Sequence, residues 1–343
     1  MKNRVAQLVA IGKVELCEKE VLPLQNDEVL VAIRAVGICG SDRHYFLHGG
    51  LGSFKQKLPM AMGHEPAGVV VESRSTRFRP GDRVAIEPAC PCSACHFCSI
   101  HRCNLCAQGT FMGANASGAL SDYVVVHEKQ LHRIPPEMSF EMAALLEPLG
   151  VVKHATNLCG GRRQESVTIF GCGSIGLSML YLLKTAGTKQ IFMIDRLPYR
   201  TAFAKQFGAT QTFTLDEPHE KVIREQTGGR GTTWSIDTAG EEASINGCLE
   251  TSSPGGTVLL IGIPEADMVP MNPHRMRTKE LVLQNVRRSN RTLESCIALA
   301  TRDNSLSKMI THRFSLESVQ QALETVAAYQ DGVIKCMIMN DKN

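Results

Sequence analysis

Val167-Thr168-Ile169-Phe170-Gly171-Cys172-Gly173-Ser174-Ile175-Gly176 decides the architecture of the second half of the chain. Val167 to Phe170 reads as a buried strand, the glycines follow at once, and a helical pattern begins behind them. That is the setting a G-x-G-x-x-G phosphate loop requires. The first glycine makes the tight turn, the second admits a pyrophosphate to the backbone, and the third lets helix and strand pack closely. The helix N-terminus offers free N–H groups to the phosphates. Asp195 ends the next strand about 20 residues further on, where a carboxylate accepts hydrogen bonds from the adenosine ribose and repels a 2′-phosphate. NAD is therefore the expected cofactor, although the guanidinium of Arg196, directly after Asp195, is able to accommodate that phosphate.

The same rhythm continues outward. Gln190 to Asp195, Thr233 to Asp237 and Thr257 to Ile261 read as further parallel strands with helical stretches between them, which is a doubly wound α/β sheet. Towards the N-terminus the pattern differs. Val29 to Val36, Ala67 to Glu72, Arg83 to Ile86 and Asp122 to Val126 are short β-branched runs broken by Gly and Pro, which suggests a distorted barrel. Helix returns from Phe140, and beyond Arg288 two helices and an apolar run, Val333 to Met339, close the chain.

Residues 92 to 106 read C-S-A-C-H-F-C-S-I-H-R-C-N-L-C. Cys92, Cys95, Cys98 and Cys106 have the spacing of a closed tetrahedral zinc site, whereas Cys90 and Cys103 fall off it. Cys39, His64-Glu65 and Glu147 form a more scattered group. Taken singly they read equally as a buried thiol, a turn histidine and a helix-end carboxylate; together they are a donor set that leaves a position open for substrate.

Composition narrows the classes. The 343 residues are enough for two domains, and a net charge of +3 without a basic run argues against nucleic acid. No stretch approaches the roughly 18 apolar residues of a membrane span, and the first twenty residues lack a signal-peptide core. Thirteen cysteines, an odd number scattered along the chain, point to reduced thiols and metal ligation in a cytoplasmic protein.

Read together, Gly37-Ile38-Cys39-Gly40-Ser41-Asp42, Gly63-His64-Glu65-Pro66-Ala67-Gly68, the four-cysteine stretch and the glycine loop resemble, in order and over essentially the whole chain, the zinc-dependent medium-chain dehydrogenases. Ser41-Asp42-Arg43-His44-Tyr45, Ala85-Ile86-Glu87-Pro88 and Glu147-Pro148 are similar to the sorbitol (polyol) dehydrogenase branch. The resemblance implies a distorted, GroES-like β-barrel catalytic domain over residues 1–150, with a structural zinc lobe at about 88–108. It implies a Rossmann NAD-binding domain over 151–287 and a return segment, 288–343, that completes the catalytic domain.

The roles it implies are these. Cys39, His64 and Glu65 hold a catalytic zinc, with Glu147 on the metal or one water away, and Cys92, Cys95, Cys98 and Cys106 hold a structural one. Ser41 passes the substrate proton outward and His44 carries it further; Tyr45, Glu147 and Arg288 line the substrate. Gly171, Gly173, Ile175, Gly176, Asp195 and Arg200 contact the cofactor. The implied activity is NAD-dependent oxidation of a secondary alcohol of a polyol or sugar derivative to a ketose, in a homo-oligomer, dimer or tetramer, whose only other partner is that small molecule. Arg287, Arg288 and Arg291 keep an anionic substrate open, an aldonate (idonate-type) or sugar phosphate, and L-threonine 3-dehydrogenation uses the same scaffold. A non-catalytic NAD-binding protein is the remaining alternative.

Overall fold

The computed structural model describes residues 1–161 and 164–340. It divides into two compact units, Met1–Gly150 together with the segment from Asn290 onward, and Val151–Ser289.

The first unit begins with a hairpin, β1 (Lys2–Ala10) and β2 (Lys13–Glu20), followed by β3 (Glu28–Gly37) and helix α1 (Gly40–His48). Three two-residue strands, β4 (Gly50–Leu51), β5 (Phe54–Lys55) and β6 (Met60–Ala61), lead to β7 (Glu65–Ser73) and β8 (Arg83–Ile86). The short strands β9 (Ala89–Cys90) and β10 (Thr110–Phe111) pair with each other on either side of the cysteine stretch, which carries the one-turn helix α2 (His96–Ser99). Then come β11 (Tyr123–His127), β12 (Leu131–Arg133), α3 (Phe140–Ala144) and α4 (Leu146–Leu158), within which the chain passes to the second unit.

The second unit alternates strand and helix: β13 (Ser166–Phe170), α5 (Ser174–Thr185), β14 (Gln190–Asp195), α6 (Pro198–Phe207), β15 (Gln211–Thr214), α7 (His219–Gln226), β16 (Thr232–Asp237), α8 (Glu242–Thr251), β17 (Ser252–Leu260), α9 (Pro273–Thr278) and β18 (Val282–Asn285). All five pairings are parallel, in the order β15-β14-β13-β16-β17-β18. The central strand β13 is buried at every residue, as a strand covered on both faces must be. This order reverses direction beside β13, the point at which doubly wound sheets bind ligands beyond their carboxyl ends.

The chain then returns to the first unit through α10 (Leu293–Arg302), β19 (Ile310–Ser315), α11 (Val319–Ala327) and β20 (Lys335–Met339). β20 pairs with β3, so the last strand lies in the seven-stranded sheet beside one of the earliest. Val29, Val31, Ile33 and Val36 on β3 share one core with Leu316, Leu323, Cys336 and Ile338. Among the described residues, no helix is long and apolar enough to cross a membrane.

Candidate metal centres and cofactor loop

The cysteine stretch gathers four sulfurs. Cys92 and Cys106 Sγ lie 3.4 Å apart, Cys95 and Cys98 3.6 Å, Cys95 and Cys106 3.7 Å, and Cys92 and Cys98 4.0 Å. A tetrahedral zinc with bonds of about 2.3 Å needs sulfur–sulfur edges of about 3.8 Å. The donor set and the spacing fit that ion, and they leave it no fifth place. Cys90 and Cys103 stand outside the group.

A second group is drawn from distant parts of the sequence. Cys39 is the N-cap of α1, and His64 and Glu65 enter β7; their ligand atoms lie within 4.8 Å of one another. Thiolate, imidazole and carboxylate are donors that zinc accepts, and three protein ligands leave a coordination position for another molecule. The surroundings hold the donors in place. Asp42, fully buried, accepts the Cys39 N–H at 3.0 Å through Oδ2, which closes the first turn of α1. Its Oδ1 lies 3.6 Å from His64 Nδ1, on the ring edge opposite Nε2, which stands 3.4 Å from Ser41 Oγ. At that separation the carboxylate is an electrostatic neighbour of Nδ1 and not its hydrogen-bond acceptor, and Nε2 is the nitrogen turned toward Ser41. Burial pushes the Asp42 carboxyl up, but the neighbouring His64 and the Cys39 N–H outweigh it and keep the group ionised.

Lys335, 1% exposed, ion-pairs with Glu65 and donates from Nζ to Ile38 O at 2.9 Å. Burial alone would discharge it; Glu65 and Cys39 hold it protonated. Gly37 is required here because an added Cβ would fall 2.0 Å from Glu65 Oε2. Glu147, on α4, is buried near His64 and Glu65 but outside the three-residue ligand group, and burial pushes its carboxyl up to about 7.

Of the other residues expected at this site, Tyr45 is buried on α1, close enough to His64 and Asp42 to feel their charges. His44 faces His48, with ring centroids 6.3 Å apart. Arg288 belongs to the second unit and holds a left-handed backbone at φ 56°, as does Arg291 in the first. Arg287 and Arg291 are exposed and precede α10, whose N-cap is Thr292. The motifs give Lys335 no role, although a lone lysine inside the apolar run Val333 to Met339 is a signal: a cation there demands a buried carboxylate.

In the second unit, Gly171 holds φ 103° at the end of β13, and Gly173 is the extended N-cap of α5. A Cβ on Gly176 would lie 1.9 Å from Gly171 O, so helix and turn can pack only with glycine there. A Cβ on Gly173 would meet nothing closer than Arg200 Nη1 at 3.6 Å, so the outer face of the loop is open. The Ser174 hydroxyl, on the first turn of α5 with Ile175, is buried without a hydrogen-bond partner. Asp195 accepts the Cys172 N–H at 2.8 Å and the Leu197 N–H at 2.9 Å, which sets its carboxylate against the loop. Open glycine, unpaired hydroxyl and helix N-terminus fit the phosphates of a nicotinamide dinucleotide.

Comparison with known proteins agrees. Residues 25–136 match the alcohol dehydrogenase GroES-like domain, and residues 174–302 match the zinc-binding dehydrogenase family. The chain is 32% identical to a sorbitol dehydrogenase of Bacillus subtilis over 327 residues, 93% of each protein. It is 33% identical to D-xylulose reductase A of Aspergillus oryzae over 335 residues, covering 94% of this chain and 92% of that one. The solved structure of L-idonate 5-dehydrogenase from Escherichia coli aligns with a TM-score of 0.90 at 26% identity, over 99% of both chains. With two zinc-type donor sets, a Rossmann sheet and relatives matched over nearly their whole length, the chain belongs to the zinc-containing medium-chain alcohol dehydrogenases.

Proposed function

We propose that the chain oxidises a secondary hydroxyl of a polyol or closely related sugar derivative with NAD as hydride acceptor. The observation that carries this reading is the mixed Cys39, His64 and Glu65 set with a second carboxylate, Glu147, buried beside it. A carboxylate in place of a further thiolate makes the centre more oxygen-rich, and its lone pairs suit a substrate with adjacent hydroxyls. Bound there, zinc would act as a Lewis acid on the substrate oxygen, and the nicotinamide would take the hydride.

The chain's own residues supply the rest. Asp42 orients His64, and Lys335 balances the Glu65 charge inside the barrel. Ser41 Oγ, 3.4 Å from His64 Nε2, is the hydroxyl through which the substrate proton leaves, with His44 the next carrier on α1. Tyr45 offers a neutral phenol to a substrate oxygen. Asp195 favours NAD: a 2′-phosphate would approach a buried carboxylate.

The test is NADH formation on sorbitol, xylitol, galactitol and ribitol, on aldonates, on polyol phosphates and on L-threonine, each with and without a chelator. A chelator-sensitive rate confined to neutral polyols upholds the reading. A preference for anions favours the second one, aldonate or sugar-phosphate oxidation, for which Arg287, Arg288 and Arg291 and the likeness to L-idonate 5-dehydrogenase speak. Equal rates with NADP would remove the role given to Asp195. Self-association is inferred from β18, an edge strand that exposes Val282 at 56%. Sedimentation showing only monomer would sink it.

A further inference from the structure

One peptide unit in the cofactor loop is gripped from both sides. The N–H of the Gly171–Cys172 peptide, on Cys172, donates to Asp195 Oδ2 at 2.8 Å. Its carbonyl, on Gly171, lies 3.2 Å from the Thr238 hydroxyl. Thr238 Oγ1 also stands 2.9 Å from Phe170 O, but that carbonyl already receives the Thr238 N–H at 2.9 Å. A hydroxyl has a single proton to give. Phe170 O has two lone pairs and can accept both groups, so the hydroxyl shares its proton between the nearer Phe170 O and Gly171 O, and Gly171 O is the one of the two that the Thr238 backbone does not reach.

Thr238 is itself fixed. The preceding residue, Asp237, is fully buried at the end of β16. Its Oδ1 accepts the Ala239 and Gly240 N–H groups at 3.0 Å each and the Ser244 hydroxyl at 2.7 Å. The turn after β16 is thus tied to the start of α8. Thr238 also fills the space beside the first glycine, since a Cβ on Gly171 would fall 2.4 Å from its Oγ1.

We propose that Thr238 is a positioning residue for the dinucleotide: through the Gly171–Cys172 peptide it sets the angle of the glycine turn and the orientation of the Asp195 carboxylate. The strut runs from the end of β16, across β13, to the end of β14. It serves the adenosine side of the site and leaves the metal centre untouched. The proposal rests on reading this loop as a nicotinamide dinucleotide site.

The experiment is fluorescence titration of the full-length protein with NADH, and competition by ADP-ribose, in wild type, Thr238→Val and Thr238→Ser. Removing one hydrogen bond of this kind should raise the NADH dissociation constant about fivefold. ADP-ribose should weaken by the same factor, kcat at saturating cofactor should stay unchanged, and Thr238→Ser should restore affinity. Thr238→Ala removes the hydroxyl without crowding Gly171 and carries the same expectation should the valine variant fold poorly. In a double variant with Asp195→Ala, the combined loss should fall short of the product of the two single losses. Wild-type protein that binds neither NADH nor NADPH would overturn the reading of the loop. Wild-type binding matched by Thr238→Val and Thr238→Ala, or a serine variant as weak as the valine one, would overturn the role of Thr238 alone.

Discussion

The two cysteine-bearing sites are built in opposite ways. The four-thiol lobe draws every donor from residues 92 to 106, and β9 and β10 close it into a loop of its own. The mixed centre draws Cys39 from the start of α1, His64 and Glu65 from β7, and the Lys335 counter-charge from β20. A local, chemically uniform site saturates its metal and stabilises its own fold. A distributed, mixed site leaves a coordination position free and depends on the whole barrel to keep its geometry.

Removing one ligand from each site should separate the two roles. Cys39→Ser should reduce turnover at least a thousandfold and lower zinc by one ion per chain, while NADH binding and melting change little. Retained turnover would show that the reactive metal is elsewhere. In the metal-free protein, Lys335→Met leaves the Glu65 carboxylate buried without its cation, a loss of about 3–5 kcal/mol for an uncompensated buried charge. Denaturant titration checks it, and a variant as stable as wild type would mean that another group neutralises Glu65. Cys95→Ser should cost several degrees of melting temperature and one zinc, with kcat in the surviving folded protein close to wild type. A selective loss of kcat at full stability would erase the distinction between the sites.

The smallest effect concerns the clasp that joins the two ends of the first unit. Arg4 ion-pairs with Asp122 at 2.6 Å, and Asn340 donates to the same carboxylate oxygen at 3.0 Å. Burial raises the Asp122 carboxyl, but Arg4 and Asn340 together hold it below its usual value. A depressed folded-state pKa contributes stability above the unfolded value of about 3.9 and loses it as pH falls through the folded one. The stability difference between wild type and Asp122→Asn, about 1–2 kcal/mol, should therefore hold from pH 5 to 8 and shrink below about pH 4. A difference that persists in acid would assign the clasp to shape and not to charge.

What the sequence discloses follows the same division. The lobe and the glycine loop are legible because their chemistry lies within a few residues of chain. Gln190 to Asp195 also appears as read, since a buried parallel strand is a continuous apolar run. β17 begins earlier than its apolar run suggests. Ser252-Ser253-Pro254-Gly255-Gly256 looks like a turn, yet it opens the strand across a register shift against β16. Asp42 is legible only as part of a motif, and the motifs give Lys335 and Thr238 no role. Each acts through a partner 22 to 270 positions away: Asp42 on His64, Thr238 on Gly171 and Lys335 on Glu65. No spacing rule reaches across that separation.

The pairing of β20 with β3 also imposes an order in time. A ribosome delivers Cys106 long before it delivers Lys335, so the lobe can take up its metal on a chain that still lacks the charge partner of Glu65. Zinc measured on chains arrested at increasing lengths should appear in the lobe first; simultaneous loading of both sites would contradict this. A nascent chain of this kind carries a metal long before it can use one, and its reactive centre stays unfinished until the last strand of the barrel is made.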